Sequence, residues 1–400
     1  MLSSSHTMDN LTHTLIGITV AHSLPKKLRT REIYWASVIA NNLPDSDVIQ
    51  NFFPGTTPLD YLVHHRGYTH NFFLTFGLAY AGAALTSFIA KPKGERKVTR
   101  ELYLFTLLGC FMHIGADFMN SYGVHPFSPL FNQWLYGDSV FIIEPWIWMI
   151  LLPMAIAMAH SKSAKIFWSV LLAVGWGIIG FVDYVTLPIK IGVTLAGAFS
   201  FWFHHKKKTA NLAAVSLLTV ITAFFTFSHI AKNEIRTTSH APFNDIEATP
   251  SPGNPFCWGS WSEKSEGEDH VMRLALVTPF PNIVGADQCG AWRTVYPRSG
   301  NPHLIDRPDE KNPSVLWRYE SRVSKQDYDD LYEHSCQFQR LMSFVRFPYV
   351  THIGKNWAAG DLRYDMRDRG NFTHMEITDE SSQVANCEAH NAPWASPFRR

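Results

Sequence analysis

The sequence predicts a membrane all-α bundle of about eight helices followed by a soluble, β-rich extracytoplasmic domain, an expectation built on the length a bilayer demands. Three observations carry it. The first 230 residues hold long apolar runs parted by short basic loops. Residues 231–400 are polar, rich in Pro, Asp, Glu and Arg, and contain no run long enough to cross a bilayer. Four of the five cysteines, Cys257, Cys289, Cys336 and Cys387, fall in that second part. A net charge of +1 and a mean hydropathy of −0.07 would suit an ordinary soluble enzyme, but they average two unlike halves. The division expected is therefore 1–230, a polytopic membrane domain, and 231–400, a soluble extracytoplasmic domain.

A spanning helix needs about 20 mostly apolar residues. Stretches 71–90, 141–160, 166–182, 185–203 and 211–230 come close to that, and 101–118 (ELYLFTLLGCFMHIGADF) is apolar at its start. Segments 11–24 and 32–43 are short for a full crossing and complete the expected eight. Basic residues mark cytoplasmic loops. Lys26, Lys27, Arg29 and Arg31 follow the first segment, and Lys91, Lys93, Arg96, Lys97 and Arg100 follow the third. Lys162 and Lys165 follow the fifth, and Lys206, Lys207 and Lys208 the seventh. The alternate loops, 44–70, 119–140 and 183–184, contain only Arg66, while Lys190 is expected to snorkel to the outer interface. Both ends then face away from the cytoplasm, with the tail outside.

An even number of cysteines in that outside tail fits one or two disulfides, with three connectivities open. The first ten residues lack a basic n-region, so no cleavable signal is expected, and Met8 is a second candidate start. No GxxxxGK[ST] or GxGxxG phosphate loop occurs, and no nucleic-acid partner is expected.

On this topology the metal-type side chains of the first half share one depth. His13 (DNLTH) lies at the outer start of the first segment, and Asp45 and Asp47 (NNLPDSD) follow the second. His64, His65 and His70 (HHRGYTH) precede the third. His113, Asp117 and Asn120 (HIGADFMN) end the fourth, and Glu144 (FIIEP) opens the fifth. Ionisable groups beside a span are costly to desolvate and usually face a bundle interior or a wet cavity. His113 and Asp117, four apart, lie on one helix face, and imidazole with carboxylate suits zinc, manganese or iron. Taken singly, Asp45 reads as a turn residue and His70 with Asn71 as a helix cap; together they read as one site. His22 and His160 read as packing residues.

The motifs DNLTHTLIG, NLPDSD, HHRGYTHNFF and HIGADFMNSYGVHPFSP resemble the YdjM-type family of bacterial inner-membrane-associated hydrolases, once described as LexA-binding, over about the first 150 residues. That family is similar in its His/Asp pattern to the zinc-dependent phospholipase C and P1-nuclease group. The resemblance implies a metal-dependent hydrolase with His13, Asp45, Asp47, His65, His70, His113 and Asp117 as ligands, Glu144 as a weaker addition, and zinc as the cofactor, with manganese or iron as alternatives. Those secreted enzymes use an N-terminal amine as a ligand, whereas this chain begins with a span, so metal number and substrate do not carry over.

The expected activity is hydrolysis at the outer leaflet, on a phosphodiester or lipid-headgroup ester. Asp45 and Arg66 are the catalytic candidates, Arg66 as a phosphate partner. Membrane lipids are the expected partners, and those of the tail are left open. The alternative is a non-enzymatic scaffold or metal-ion carrier; a carrier needs polar groups through to the cytoplasmic face, and here they stop halfway. In the tail, 248–258 reads as a proline-rich lead-in, and 270–280, 344–354, 361–367 and 372–377 read as strands. Trp258, Trp261, Trp292 and Trp317 are expected to fill its core.

Overall fold

The computed structural model describes residues 10–90, 97–182, 185–207, 210–238, 242–289, 304–306, 312–364, 372–377 and 394–398. Met8, Lys91, Lys93, Arg96, Lys208, Trp292, Cys387 and the end of the 361–367 segment lie outside them.

The helical half opens with α1 (Asn10–Ser23) and α2 (Arg31–Ala40), of 14 and 10 residues, each too short to cross a bilayer unaided. Between α2 and the next long helix the chain makes a 3₁₀ stretch at Pro44–Phe52 and the short α3 (Pro58–His64), the latter fixed by a Thr57/Asp60 capping box. Asn71 then starts α4 (Phe72–Ala90), its Oδ1 accepting from the Phe73 and Leu74 amides. α5 (Arg100–Phe118) returns beside it, and a loop leads to α6 (Pro145–Met158), α7 (Lys162–Phe181), α8 (Leu187–Lys207) and α9 (Asn211–Thr238). α6 is the axis of this half: it packs on α1, α7, α8 and α9, and its apolar sequence is buried on most sides. α7 does the opposite, burying only Gly175 and Ile179 and exposing Ile166, Phe167, Val170 and Val174, as a lipid-facing helix would.

Three helices among the described residues are long and apolar enough to cross a membrane: α4, α7 and α9. That is fewer than the eight the sequence suggested. α5 and α8 have the length, at 19 and 21 residues, but hold charged and imidazole groups, while α6 has only 14 residues because Glu144 and Pro145 start it late.

The tail is antiparallel β. β1 (Asp245–Ser251), β2 (Asn254–Glu266), β3 (Asp269–Val277), β4 (Ile305–Asp306) and β5 (Val315–Ser324) form a sheet ordered β1-β2-β3-β5-β4. After α10 (Lys325–His334) and α11 (Cys336–Met342), a smaller sheet holds β6 (Pro348–Ile353), β7 (Asn356–Asp361) and β8 (Met375–Ile377). The expected lead-in at 248–258 is instead the β1–β2 hairpin, whose prolines are tolerated because Pro250 stands where the register shifts. Neither α10 nor α11 was expected. Trp258, Trp261 and Trp317 do fill the core.

One core crosses from helices to sheet: Leu15, Leu151 and Phe224 pack in the same cluster as Trp258, Val277 and Trp317. A second joins Tyr122 and Trp134, from the loop after α5, to Phe338, Phe344 and Trp394 of the tail. Buried ion pairs reinforce this seam. Arg346 donates to Asp138 of the α5–α6 loop at 2.9 Å and to Asp245 of β1 at 2.6 Å, and Lys232 of α9 also donates to Asp138, at 2.7 Å.

Cys257 and Cys289 form a disulfide, Cys336 is disulfide-bonded as well, and Cys110 is a buried free thiol within α5. The Cys257–Cys289 link closes a separation of 32 residues. Serine at both positions is expected to cost about 3–4 kcal/mol, the chain-entropy value for such a loop. Thermal unfolding of the double variant measures it, and a stability equal to the parent's would show that the link adds nothing.

Candidate metal centre

The site grows from four short pieces of chain. Asp45 and Asp47 stand in the 3₁₀ stretch that Pro44 initiates at the end of α2, where the turn aims both carboxylates inward. His65 caps the C-terminus of α3 and Arg66 follows it, and His70 closes the 3₁₀ turn Tyr68–His70 in front of α4. His113 and Asp117 share one face of α5, and His13 comes from the first turn of α1.

Asp45, His70, His113 and Asp117 each offer a ligand atom to one point, these atoms lying within 4.8 Å of one another. His70 Nε2 is 2.9 Å from Asp117 Oδ2 and 3.1 Å from His113 Nε2, and His113 Nε2 is 3.4 Å from Asp45 Oδ1. His13 joins from the side, its Nε2 3.4 Å from Asp117 Oδ1 and its ring stacked on that of His113 at 3.8 Å. All five are buried, Asp45 the most accessible at 5 %.

These groups fit a divalent cation on three grounds. His113 Nδ1 lies 2.7 Å from the backbone carbonyl of Asn41. A carbonyl only accepts, so Nδ1 carries the hydrogen and Nε2 presents its lone pair to the cluster, as a metal-binding imidazole does. Both oxygens of Asp45 and both ring nitrogens of His13 are buried without a hydrogen bond, a costly state for polar groups that have nothing to bind. Finally, the three carboxylates of Asp45, Asp47 and Asp117 face a single permanent cation, Arg66, leaving two negative charges for one divalent ion to cancel.

Around this centre lies a supporting layer. Asp47 Oδ2 accepts from His65 Nδ1 at 3.0 Å and from the Arg66 amide at 3.0 Å, which leaves His65 Nε2 unpaired. The Arg66 backbone is left-handed (φ 59°), a conformation non-glycine residues rarely adopt. Its amide is thereby held on Asp47 while its side chain turns inward. There Nη2 lies 2.9 Å from Asp117 Oδ1, Nη1 donates to Asn120 Oδ1 at 3.1 Å, and the guanidinium rests over the Tyr122 ring at 4.7 Å. Arg66 is wholly buried and Nε makes no hydrogen bond.

The structure thus brings His13, Asp45, Asp47, His65, Arg66, His70, His113 and Asp117 together. Glu144 is not among them. Its carboxylate caps α6, Oε1 accepting from the Trp146 amide at 3.3 Å and from the Gly253 amide of the β1–β2 turn at 3.2 Å, which spends it on holding helix to sheet. Sequence reasoning missed the Asn41 carbonyl and Tyr122. A main-chain acceptor leaves no mark on residue type, and Tyr122 lies only two positions past the Asn120 that closes the His113 motif.

The YdjM inner membrane protein family model matches residues 8–187. Over those residues the chain is similar to the YdjM family. No curated protein and no solved structure matches the chain. Every member of the cluster lies inside the YdjM match, whereas α8, α9 and the two sheets follow it almost entirely. The family and the three apolar helices make this a membrane protein.

The cluster depends on close contact of α2 with α5. A Cβ on Gly109, one turn before His113, would stand 2.5 Å from the Ala40 Cβ and 3.2 Å from Asn41 Nδ2. Gly109→Val is therefore expected to push α5 from α2, lengthen the His113–Asn41 bond and weaken metal binding about ten-fold with every ligand intact, the usual cost of losing a supporting contact. Titration with a divalent ion tests it; unchanged affinity would show that this packing does not set the site.

Proposed function

We propose that this protein is a metal-dependent hydrolase of the bacterial inner membrane whose centre opens at the extracytoplasmic face and acts on a phosphodiester or lipid-headgroup ester. The observation that carries this reading is the convergence of Asp45, His70, His113 and Asp117 on one point, with Arg66 beside it. A divalent ion there, zinc by the donor set or manganese or iron, would supply Lewis acidity and lower the pKa of water. Asp45, whose two oxygens make no hydrogen bond, is the carboxylate placed to hold the ion through one oxygen and take a proton from water with the other. Arg66 Nε is the donor left for an oxygen of an anionic substrate.

The eight-segment topology, with both ends outside, belongs to the same proposal. The disulfides of the tail support it, since such links persist in oxidising compartments. So does the short apolar rim near the acidic turn, where Ile49, Phe52 and Phe53 are exposed at membrane depth on this topology. A phosphatase reporter active only outside the cytoplasm should be active after residue 235 and silent after residue 95.

The near-complete burial of the centre favours a second reading, a metal that ties helices together in a non-catalytic scaffold. One experiment separates the two. Protein purified in detergent is analysed for metal and assayed on phospholipid and generic phosphodiesters with and without chelator. Chelator-sensitive hydrolysis supports the enzyme; bound metal whose removal lowers only thermal stability supports the scaffold.

A further inference from the structure

A cavity of about 570 Å³ lies at the end of the bundle opposite the metal cluster. His13 and His22 mark the two ends of α1, and the cavity is at the His22 end, enclosed by the C-terminal ends of α1 and α6 and the N-terminal ends of α2 and α7. Its lining divides by chemistry. Ile18, Met158 and Trp168 make an apolar wall, while His22, Arg29, Arg31 and His160 supply every titratable nitrogen at the mouth. Among the described residues no carboxylate lines it. Thr30 and Ser161, which cap α2 and α7, bring two positive helix ends to the same opening. Arg29 is held in place by its Nε donating to the Leu24 carbonyl at 2.6 Å, and Arg31 is exposed.

The depth of this cavity follows from α7. That helix is long and apolar enough to span, and its first turn lines the mouth, so the cavity sits where hydrocarbon meets headgroups. An occupant must then offer negative charge at one end and hydrocarbon at the other, which an anionic phospholipid does and a free anion does not.

We infer that the cavity between α1, α2, α6 and α7 is a binding site for an anionic phospholipid, its phosphate held by Arg29, Arg31, His22 and His160 and an acyl chain lying against Ile18, Met158 and Trp168. The inference is independent of the hydrolase reading, because no group of the metal cluster lines this cavity.

The test uses the full chain in nanodiscs of phosphatidylcholine alone or with phosphatidylglycerol, with native mass spectrometry after gentle delipidation to count retained lipid. Phosphatidylglycerol should be retained in preference to phosphatidylcholine. Arg31→Gln should lower that retention about five-fold, the loss of one cation beside an anionic headgroup, and Arg31→Gln with His160→Gln should lower it further. Ala164→Trp, which narrows the apolar side, should also lower it, and all three variants should keep the thermal unfolding temperature of the parent in detergent, showing that they fold. Equal retention of the two lipids, or retention untouched by the variants, overturns the inference. Inorganic phosphate that binds the detergent-purified protein and is lost in Arg31→Gln but not in Ala164→Trp overturns it too, since the site would then be one for a soluble anion.

Discussion

His113→Ala and Asp117→Asn will each leave the purified protein with little or no bound divalent ion. Either substitution takes one of four converging donors, and Asp117→Asn also leaves Arg66 buried with no carboxylate to neutralise it. Losing a ligand should exceed the 10- to 100-fold, roughly, that losing a supporting partner costs. Metal content of protein made in parallel checks this, with His22→Ala as the control from the far end of α1. If His22→Ala loses as much metal as His113→Ala, the cluster is not the binding site. Acidification should have the same effect. Burial works against a proton on His70, but Asp117 and Asp45 outweigh it and raise the group. Proton and metal therefore compete for one nitrogen: the ion is held at higher pH and released as pH falls.

The largest effect on stability is expected from Arg346→Met. The guanidinium is 4 % exposed, is shared between Asp138 and Asp245, and lies 4.1 Å over the Tyr136 ring. Removing it leaves Asp138 in the interior with Lys232 alone, and breaking a buried pair from one side costs about 3–5 kcal/mol. Thermal unfolding in detergent should show a marked drop for Arg346→Met. Adding Asp138→Asn should recover part of it, because the stranded charge goes too. A single variant as stable as the parent would mean that the seam is held by packing alone.

Most of the cluster was legible because its chemistry is written locally. The four-residue step from His113 to Asp117 fixes a helix face, and the Pro44–Asp45–Ser46–Asp47 turn holds two carboxylates where a helix must end. Arg66 was visible as a residue but not as the partner of Asp117, since that contact depends on a left-handed backbone which residue type does not announce. Glu144 misled for the same reason that it is well placed: an acid before proline at a helix start serves equally as ligand or cap, and only the position of the Gly253 amide decides. In the tail, β3 was readable from alternation at 270–280. β2 was not, because both of its faces are buried and the alternation that marks a half-exposed strand is lost.

The seam built by Arg346, Trp134 and the shared cores bears on how the cell would treat an incomplete chain. The family match ends at residue 187, but Asp138 inside it has its cationic partners at Lys232 and Arg346 beyond it. Trp134 likewise donates its indole hydrogen to the Ser343 carbonyl, 2.8 Å away. A chain cut after the match would carry a bare buried acid and two uncovered aromatic rings, Tyr122 and Trp134, into the membrane-side half. Such defects draw proteases in proportion to the unfolded fraction. Truncation of the tail should therefore show itself as low abundance of the whole protein rather than as a stable membrane piece lacking one function.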